Sequence, residues 1–170
     1  MTTYTTRYDS PLGSLLLTSD GEALTGLYLG RNTPVIAPNG AEEDALPLFL
    51  ETKHQLNAYF EGTLKTFDLP LNPQGTAFQK SVWAELLKIP YGETTTYGTL
   101  ASRIGNPNAC RAVGLANGQN PLSLLIPCHR VIGASGKLTG YSGGLSNKER
   151  LIAFEKAYSE AESKPFFWSK

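Results

Sequence analysis

The residues most capable of chemistry stand together in Ile126-Pro127-Cys128-His129-Arg130-Val131, where a thiol and an imidazole are neighbours after an apolar run of Leu122, Leu124, Leu125 and Ile126. A cysteine in apolar surroundings is ordinarily a small hydrophobe. One flanked by a histidine and an arginine has the electropositive environment that lowers a thiol pKa from about 8.5 and makes it a nucleophile. Pro127 keeps Ile126 out of the helical region, so the chain is predicted to arrive extended and to turn at Cys128. Adjacent residues of an extended chain face opposite ways. His129 is therefore expected to reach Cys128 through a water rather than by contact.

A base needs a group to orient it. Ser146-Asn147-Lys148-Glu149 reads as a capping box opening a last helix. Leu151 and Ile152 form its apolar face, and Glu155, four and three residues on, lies over that face. A carboxylate turned toward a core must be paired, and the His129 imidazole is the available partner. Cys128, His129 and Glu155 then form a nucleophile, base and orienter suited to covalent catalysis. The same set fits a cysteine hydrolase, although no oxyanion site accompanies it. Gly140-Tyr141-Ser142-Gly143-Gly144 lacks the spacing and the trailing Lys-Ser/Thr of a phosphate-binding loop.

The elements before the cysteine suggest what it meets. A helix is predicted from Thr76, with Phe78, Val82, Leu86 and Ile89 on one face, stopped by Pro90-Tyr91-Gly92. A second, capped by Thr94 or Thr95, carries Tyr97, Leu100, Ala101 and Ile104 on one face. After Gly105-Asn106 a third is expected from Pro107 to Ala116 or Asn117. Two short helices joined by a tight glycine turn read as a helix-turn-helix. In the third, Ala109, Ala112, Gly114 and Ala116 are small and Arg111 is the one large polar group, which suits close approach to DNA and insertion from the minor groove. Cys110 is expected to be a buried small residue.

Charge is divided along the chain. Residues 1–75 hold four Lys/Arg against nine Asp/Glu, a net −5, and residues 76–152 hold eight against three, a net +5. That asymmetry points to a nucleic-acid face on the second part. The first part reads as strands over 3–8, 12–18 and 23–29, joined by Pro-Leu-Gly and Asp-Gly turns. A helix from about Glu43 to Glu61 and an edge strand over 65–69 follow. His54 is read as a surface residue. Pro70-Leu71-Asn72-Pro73-Gln74-Gly75 is a linker in composition, which places residues 1–75 in one structural domain and 76–170 in a second domain that binds DNA and does the chemistry. The fold class is α+β: an antiparallel sheet with a helix, in a ribonuclease-H-like layout, then a helical domain with a helix-turn-helix. Two cysteines give neither a disulfide framework nor a paired metal motif. The absence of a membrane-length apolar run or a signal-like start leads us to expect a cytoplasmic protein without a membrane partner.

Pro127-Cys128-His129-Arg130-Val131, with Arg111-Ala112-Val113-Gly114, Asn120-Pro121 and Gly140-Tyr141-Ser142-Gly143-Gly144-Leu145, resembles the O6-alkylguanine-DNA alkyltransferase family. The resemblance is dense over residues 76–155; the N-terminal part is similar only in its order of elements. It implies a monomeric suicide repair protein that binds double-stranded DNA through the minor groove. The protein would transfer an alkyl group from O6 of guanine, and from O4 of thymine, irreversibly to its own cysteine. Carried over, Cys128 is the acceptor, His129 its base through a water, Glu155 the orienter and Asn120 the brace of the active-site turn. Arg111 is the finger that fills the stack, with Ala112 and Gly114 beside it on the DNA. Tyr97 helps rotate the base and protonates it. Tyr141, Ser142, Val131 and Pro127 line the alkylguanine pocket, with the Val131 and Cys128 carbonyls toward the exocyclic amine. Residues 1–75 have no cysteine and one histidine, so neither zinc nor any other cofactor is expected. A sensor that binds alkylguanine and recruits other repair proteins is the alternative. An inactive subgroup replaces the acceptor cysteine, which is present here.

Overall fold

The computed structural model describes residues 2–30, 33–34, 41–141, 143–160, 166 and 168. Three antiparallel strands, β1 (Tyr4–Ser10), β2 (Gly13–Ser19) and β3 (Leu24–Leu29), are joined by the expected turns. Pro11-Leu12 closes the first, and Asp20 Oδ1 closes the second by accepting from the Glu22 and Ala23 amides, each at 2.9 Å. A two-residue β4 (Ala41–Glu42) pairs parallel to β1, giving the order β3-β2-β1-β4. Leu15 to Ser19 of the central β2 are buried without alternation, as befits a strand covered on both faces.

Two expectations for this half give way to backbone accounting. Helix α1 runs Pro47–Phe60, not from Glu43, because residues 41–43 are taken by the sheet edge, with the Glu43 amide donating to Thr5 O at 3.0 Å. Proline at the first turn then sets the start. Residues 65–69 form no strand. The Gln55 side chain of α1 brackets Asp68 instead, donating to its carbonyl and accepting from its amide, both at 2.9 Å. The stretch 70–75 is fastened, with Leu24 N donating to Pro70 O and Asn72 N to Leu24 O, both at 2.8 Å.

Helix α2 (Ala77–Leu86) begins at a capping box of Thr76 and Gln79. It stops three residues short of Ile89, which is buried in the turn that follows. Phe78, expected in the apolar face, is 36% exposed, and the anchor is Trp83, whose Nε1 donates to Ala116 O at 2.9 Å. A short β5 (Thr95–Thr96) precedes α3 (Tyr97–Arg103), capped by Thr96 one position beyond the expected threonines. Gly105, at φ 81, closes α3 in the left-handed region, and the Asn106 amide returns to Ala101 O at 2.9 Å. Helix α4 spans Cys110–Gly118 rather than starting at Pro107, since residues 106–109 form a turn with the Ala109 amide on Asn106 O. A 3-10 turn, Cys128–Arg130, leads into β6 (Val131–Ile132), which pairs parallel with β5.

Helix α5 (Leu145–Ser159) starts after Gly144, at φ 93, with no side-chain cap. The anticipated capping box is therefore absent: Ser146 lies inside the first turn, and the Lys148 amide bonds Gly144 O at 3.1 Å. Phe166 and Trp168 return over this helix, their rings 5.4 and 4.5 Å from the Phe154 centroid. The two halves also share backbone bonds. The edge strand β3 donates from Leu27 N to Pro121 O at 2.8 Å, so the sheet holds the start of the segment that carries Cys128. Trp83→Phe removes the indole donor from α4 and leaves a void. It should destabilise the protein by about 1–3 kcal/mol in urea unfolding.

Candidate active site and nucleic-acid face

The path from Pro121 to Cys128 is not extended. Asn120 anchors it at both ends, accepting from the Leu122 amide at 3.0 Å and donating to Ile126 O at 2.9 Å. Between them Leu125 N bonds Ser123 O at 2.9 Å across Leu124, a non-glycine residue at φ 73. Cys128 N then bonds Ile126 O at 2.7 Å across Pro127 at φ −80, ψ 65, the geometry of an inverse γ-turn. The chain turns at the proline, one residue earlier than expected, and Cys128 enters the 3-10 turn 2% exposed. With the backbone tightly turned, Cys128 and His129 are not set on opposite faces of an extended strand. No hydrogen bond joins Cys128 to His129 among the described residues.

His129 is fully buried and its Nε2 lies 2.6 Å from Glu155 Oε1. Its Nδ1, also buried, has no protein partner among the described residues. Arg130 holds the same carboxylate, through Nε at 2.8 Å to Oε1 and Nη2 at 2.7 Å to Oε2, and its Nη1 donates to Ile89 O at 2.7 Å. Burial pushes the Glu155 carboxyl up, but the His129 and Arg130 charges and hydrogen bonds outweigh it and hold the group at about 2. Arg130 was expected to serve the thiol; it serves Glu155.

The cation the thiol does feel is Lys148, a residue the sequence did not single out. It is fully buried on α5, donates from Nζ to Thr139 O at 2.8 Å and lies 5.9 Å from the centre of the Tyr97 ring. Burial pushes the Cys128 thiol above its ordinary value. Hydrogen bonds from Asn120 and Ser123 and the Lys148 charge offset part of that rise. Burial in turn lowers the Lys148 ammonium, against the Cys128 charge.

Other expected residues are gathered here. The Tyr97 hydroxyl donates to Thr139 O at 3.4 Å and accepts from Thr139 Oγ1 at 3.2 Å. Tyr141 is buried with an unpartnered hydroxyl, and burial, with the Cys128 and Glu155 charges, raises its pKa well above the ordinary value. Pro127 and Val131 are buried, and Val131 pairs with Thr95, which ties the cysteine turn to the start of α3. Ser142 lies outside the described residues. On the outer side, Arg111 and Ala112 are exposed on α4 and Gly114 is half-buried against Tyr97. Leu115, 65% exposed and one turn beyond Arg111, belongs to this face and was passed over. Cys110, expected to be buried, is exposed at the head of α4. Among the described residues no cluster of His, Cys, Asp or Glu could hold a metal, and no helix is long and apolar enough to cross a membrane.

A helix-turn-helix with a buried cysteine held behind its second helix is the arrangement of a DNA-directed protein, and the comparisons identify the family. Residues 77–157 match the DNA binding domain of 6-O-methylguanine DNA methyltransferase, and residues 3–73 match its ribonuclease-like domain. A methylated-DNA–protein-cysteine methyltransferase of Methanosarcina acetivorans is 51% identical over 148 residues, 87% of this chain and 95% of that one. One from Haemophilus influenzae is 44% identical over 98% of this chain and 96% of its own. The crystal structure of Mycobacterium tuberculosis OGT in complex with DNA superposes with a TM-score of 0.85 at 48% identity, covering 95% of this chain and 96% of that one. The chain belongs to the 6-O-methylguanine DNA methyltransferase family.

Two outcomes test this electrostatic account. The Glu155 pKa lies below its unfolded value of 4.5. Its contribution is therefore complete above that value and is lost as pH falls toward 2, on the order of 3 kcal/mol. Acid unfolding of Glu155→Gln should be flatter than wild type across that window. Arg130→Met, which leaves the carboxylate short of a partner, should lower stability by about 3–5 kcal/mol in denaturant titration.

Proposed function

We propose that Cys128 is the alkyl acceptor through which this chain carries out its family's activity, repair of DNA by alkyl transfer to a protein cysteine. The observation that carries the reading is the junction of His129 with Glu155. It leaves Nδ1 as the one nitrogen of that ring without a partner among the described residues, on the residue that follows a buried cysteine in a tight turn. The substrate is O6-alkylguanine, with O4-alkylthymine a second, in double-stranded DNA bound through the minor groove by a monomer. A reducing cytoplasm suits the two free cysteines.

The target oxygen lies inside a stacked duplex, so the base must leave the stack at a cost of a few kcal/mol. Arg111, exposed on α4 with no ion pair among the described residues, fills the gap, with Ala112 and Gly114 against the backbone. The extruded base enters a pocket lined by Tyr141, Val131 and Pro127. Sγ of Cys128 bonds the alkyl carbon as the bond from that carbon to O6 breaks. The thiol proton passes to His129 Nδ1 through a water, and Glu155 stabilises the imidazolium. Tyr97 donates a proton to a ring nitrogen of the departing guanine, and exchange with solvent restores the tyrosine and the imidazole. The product is a thioether that nothing in the site can hydrolyse, so each molecule acts once. In this reading residues 1–75 are a structural domain, and residues 76–170 bind DNA and carry the transfer.

Incubation with a duplex containing O6-methylguanine should raise the intact mass by one methyl group, located on the Cys128 peptide and absent in Cys128→Ser. DNA binding without any mass change would leave only a damage sensor. Arg111→Ala should slow transfer from duplex by about tenfold or more while sparing single-stranded substrate, because only the duplex demands extrusion.

A further inference from the structure

Asn117 is the penultimate residue of α4 and is 1% exposed. Its Nδ2 donates to Cys128 O at 3.4 Å, a long bond that turns the side chain toward the nucleophile. Its Oδ1 is buried and has no partner among the described residues. Reversing the amide would set two oxygens face to face, so the Cys128 carbonyl fixes the orientation. A buried acceptor without a donor carries a desolvation penalty and calls for an explanation. Two further buried atoms without a partner among the described residues belong to the same site, His129 Nδ1 and the Tyr141 hydroxyl. The first is explained by the thiol proton; Asn117 Oδ1 has no role in the transfer.

The chemistry of the substrate supplies one. Alkylation at O6 strips the proton from N1 of guanine, so N1, N3 and N7 are all acceptors. The exocyclic 2-amino group is then the only N–H donor the base retains, and it carries two hydrogens. Of the groups the alkylated base carries, only that one can complete an unsatisfied acceptor beside the Cys128 carbonyl. Resting on the function proposed above, we propose that Asn117 is a specificity-determining residue whose Oδ1 accepts a hydrogen bond from the 2-amino group of the extruded alkylguanine. The backbone carbonyls of the cysteine turn take the other hydrogen. Bases without the amino group, O6-alkylhypoxanthine and O4-alkylthymine, leave Oδ1 buried and unpaired. Sites built to bond a substrate N–H reject analogues that lack it far more strongly than apolar pockets reject a missing methylene.

The experiment compares second-order methyl transfer to Cys128 from O6-methylguanine and from O6-methylhypoxanthine in the same duplex, for wild type, Asn117→Ala and Asn117→Asp. Wild type should favour guanine by about tenfold or more. Asn117→Ala should reduce that ratio by about tenfold, and Asn117→Asp, which keeps an acceptor, should retain it at a lower absolute rate. The ratio is internal to each preparation, so a partly misfolded variant does not imitate the effect, and differences in base pairing cancel between proteins. A wild-type ratio near one, or a ratio unchanged in Asn117→Ala, overturns the assignment. Transfer to Cys128 with an unchanged ratio removes Asn117 alone; no transfer from either base removes the proposed function with it.

Discussion

Burying the Glu155 carboxylate obliges the surrounding structure to supply hydrogen-bond donors for it, and both come from the three-residue turn that begins with Cys128. His129 takes one oxygen and Arg130 grips both. Their side chains can reach α5 together only because the turn is tight; an extended backbone would send them apart. Arg130 also bonds Ile89 O and lies over the Tyr91 ring, which draws the end of α2 into the same cluster. One carboxylate thus fixes the turn, the last helix and the connection after α2 relative to one another.

The second support comes from the other half of the chain. A sheet edge presents unpaired backbone groups that must be covered, and β3 covers part of its edge with Pro121 and Leu122. Asn120, next in line, passes that fixed position on to Ile126. The N-terminal sheet, which holds no candidate chemical group, therefore sets where the reactive segment begins.

Much of this was legible in the sequence, for reasons that particular residues show. Glu155 was readable because a carboxylate on an apolar helix face needs a partner and an imidazole was unclaimed. The strands, their turns and the paired helices followed from periodicity and from Pro, Gly and Asp placement. Three of the failures share a cause: long polar side chains acting across the fold. Gln55 replaces a strand at Asp68, Arg130 serves a carboxylate 25 residues away, and Lys148 reaches the thiol's surroundings from α5. None of these leaves a periodic trace. Ser146 had the right neighbours for a cap, yet the left-handed Gly144 started the helix earlier. The bonds across Leu124 and Pro127 span single residues, too short for any repeat to reveal.

The depth at which Cys128 sits has a consequence for the economy of a reagent used only once. Small oxidants and electrophiles in solution meet exposed sulfur first, and among the described residues that sulfur is Cys110, at the head of α4. Cys128, shut in and with its thiol pushed up by burial, is sheltered from both. Storage and use are thus separated by access: the same burial that shelters the thiol reserves it for whatever can be delivered to it whole.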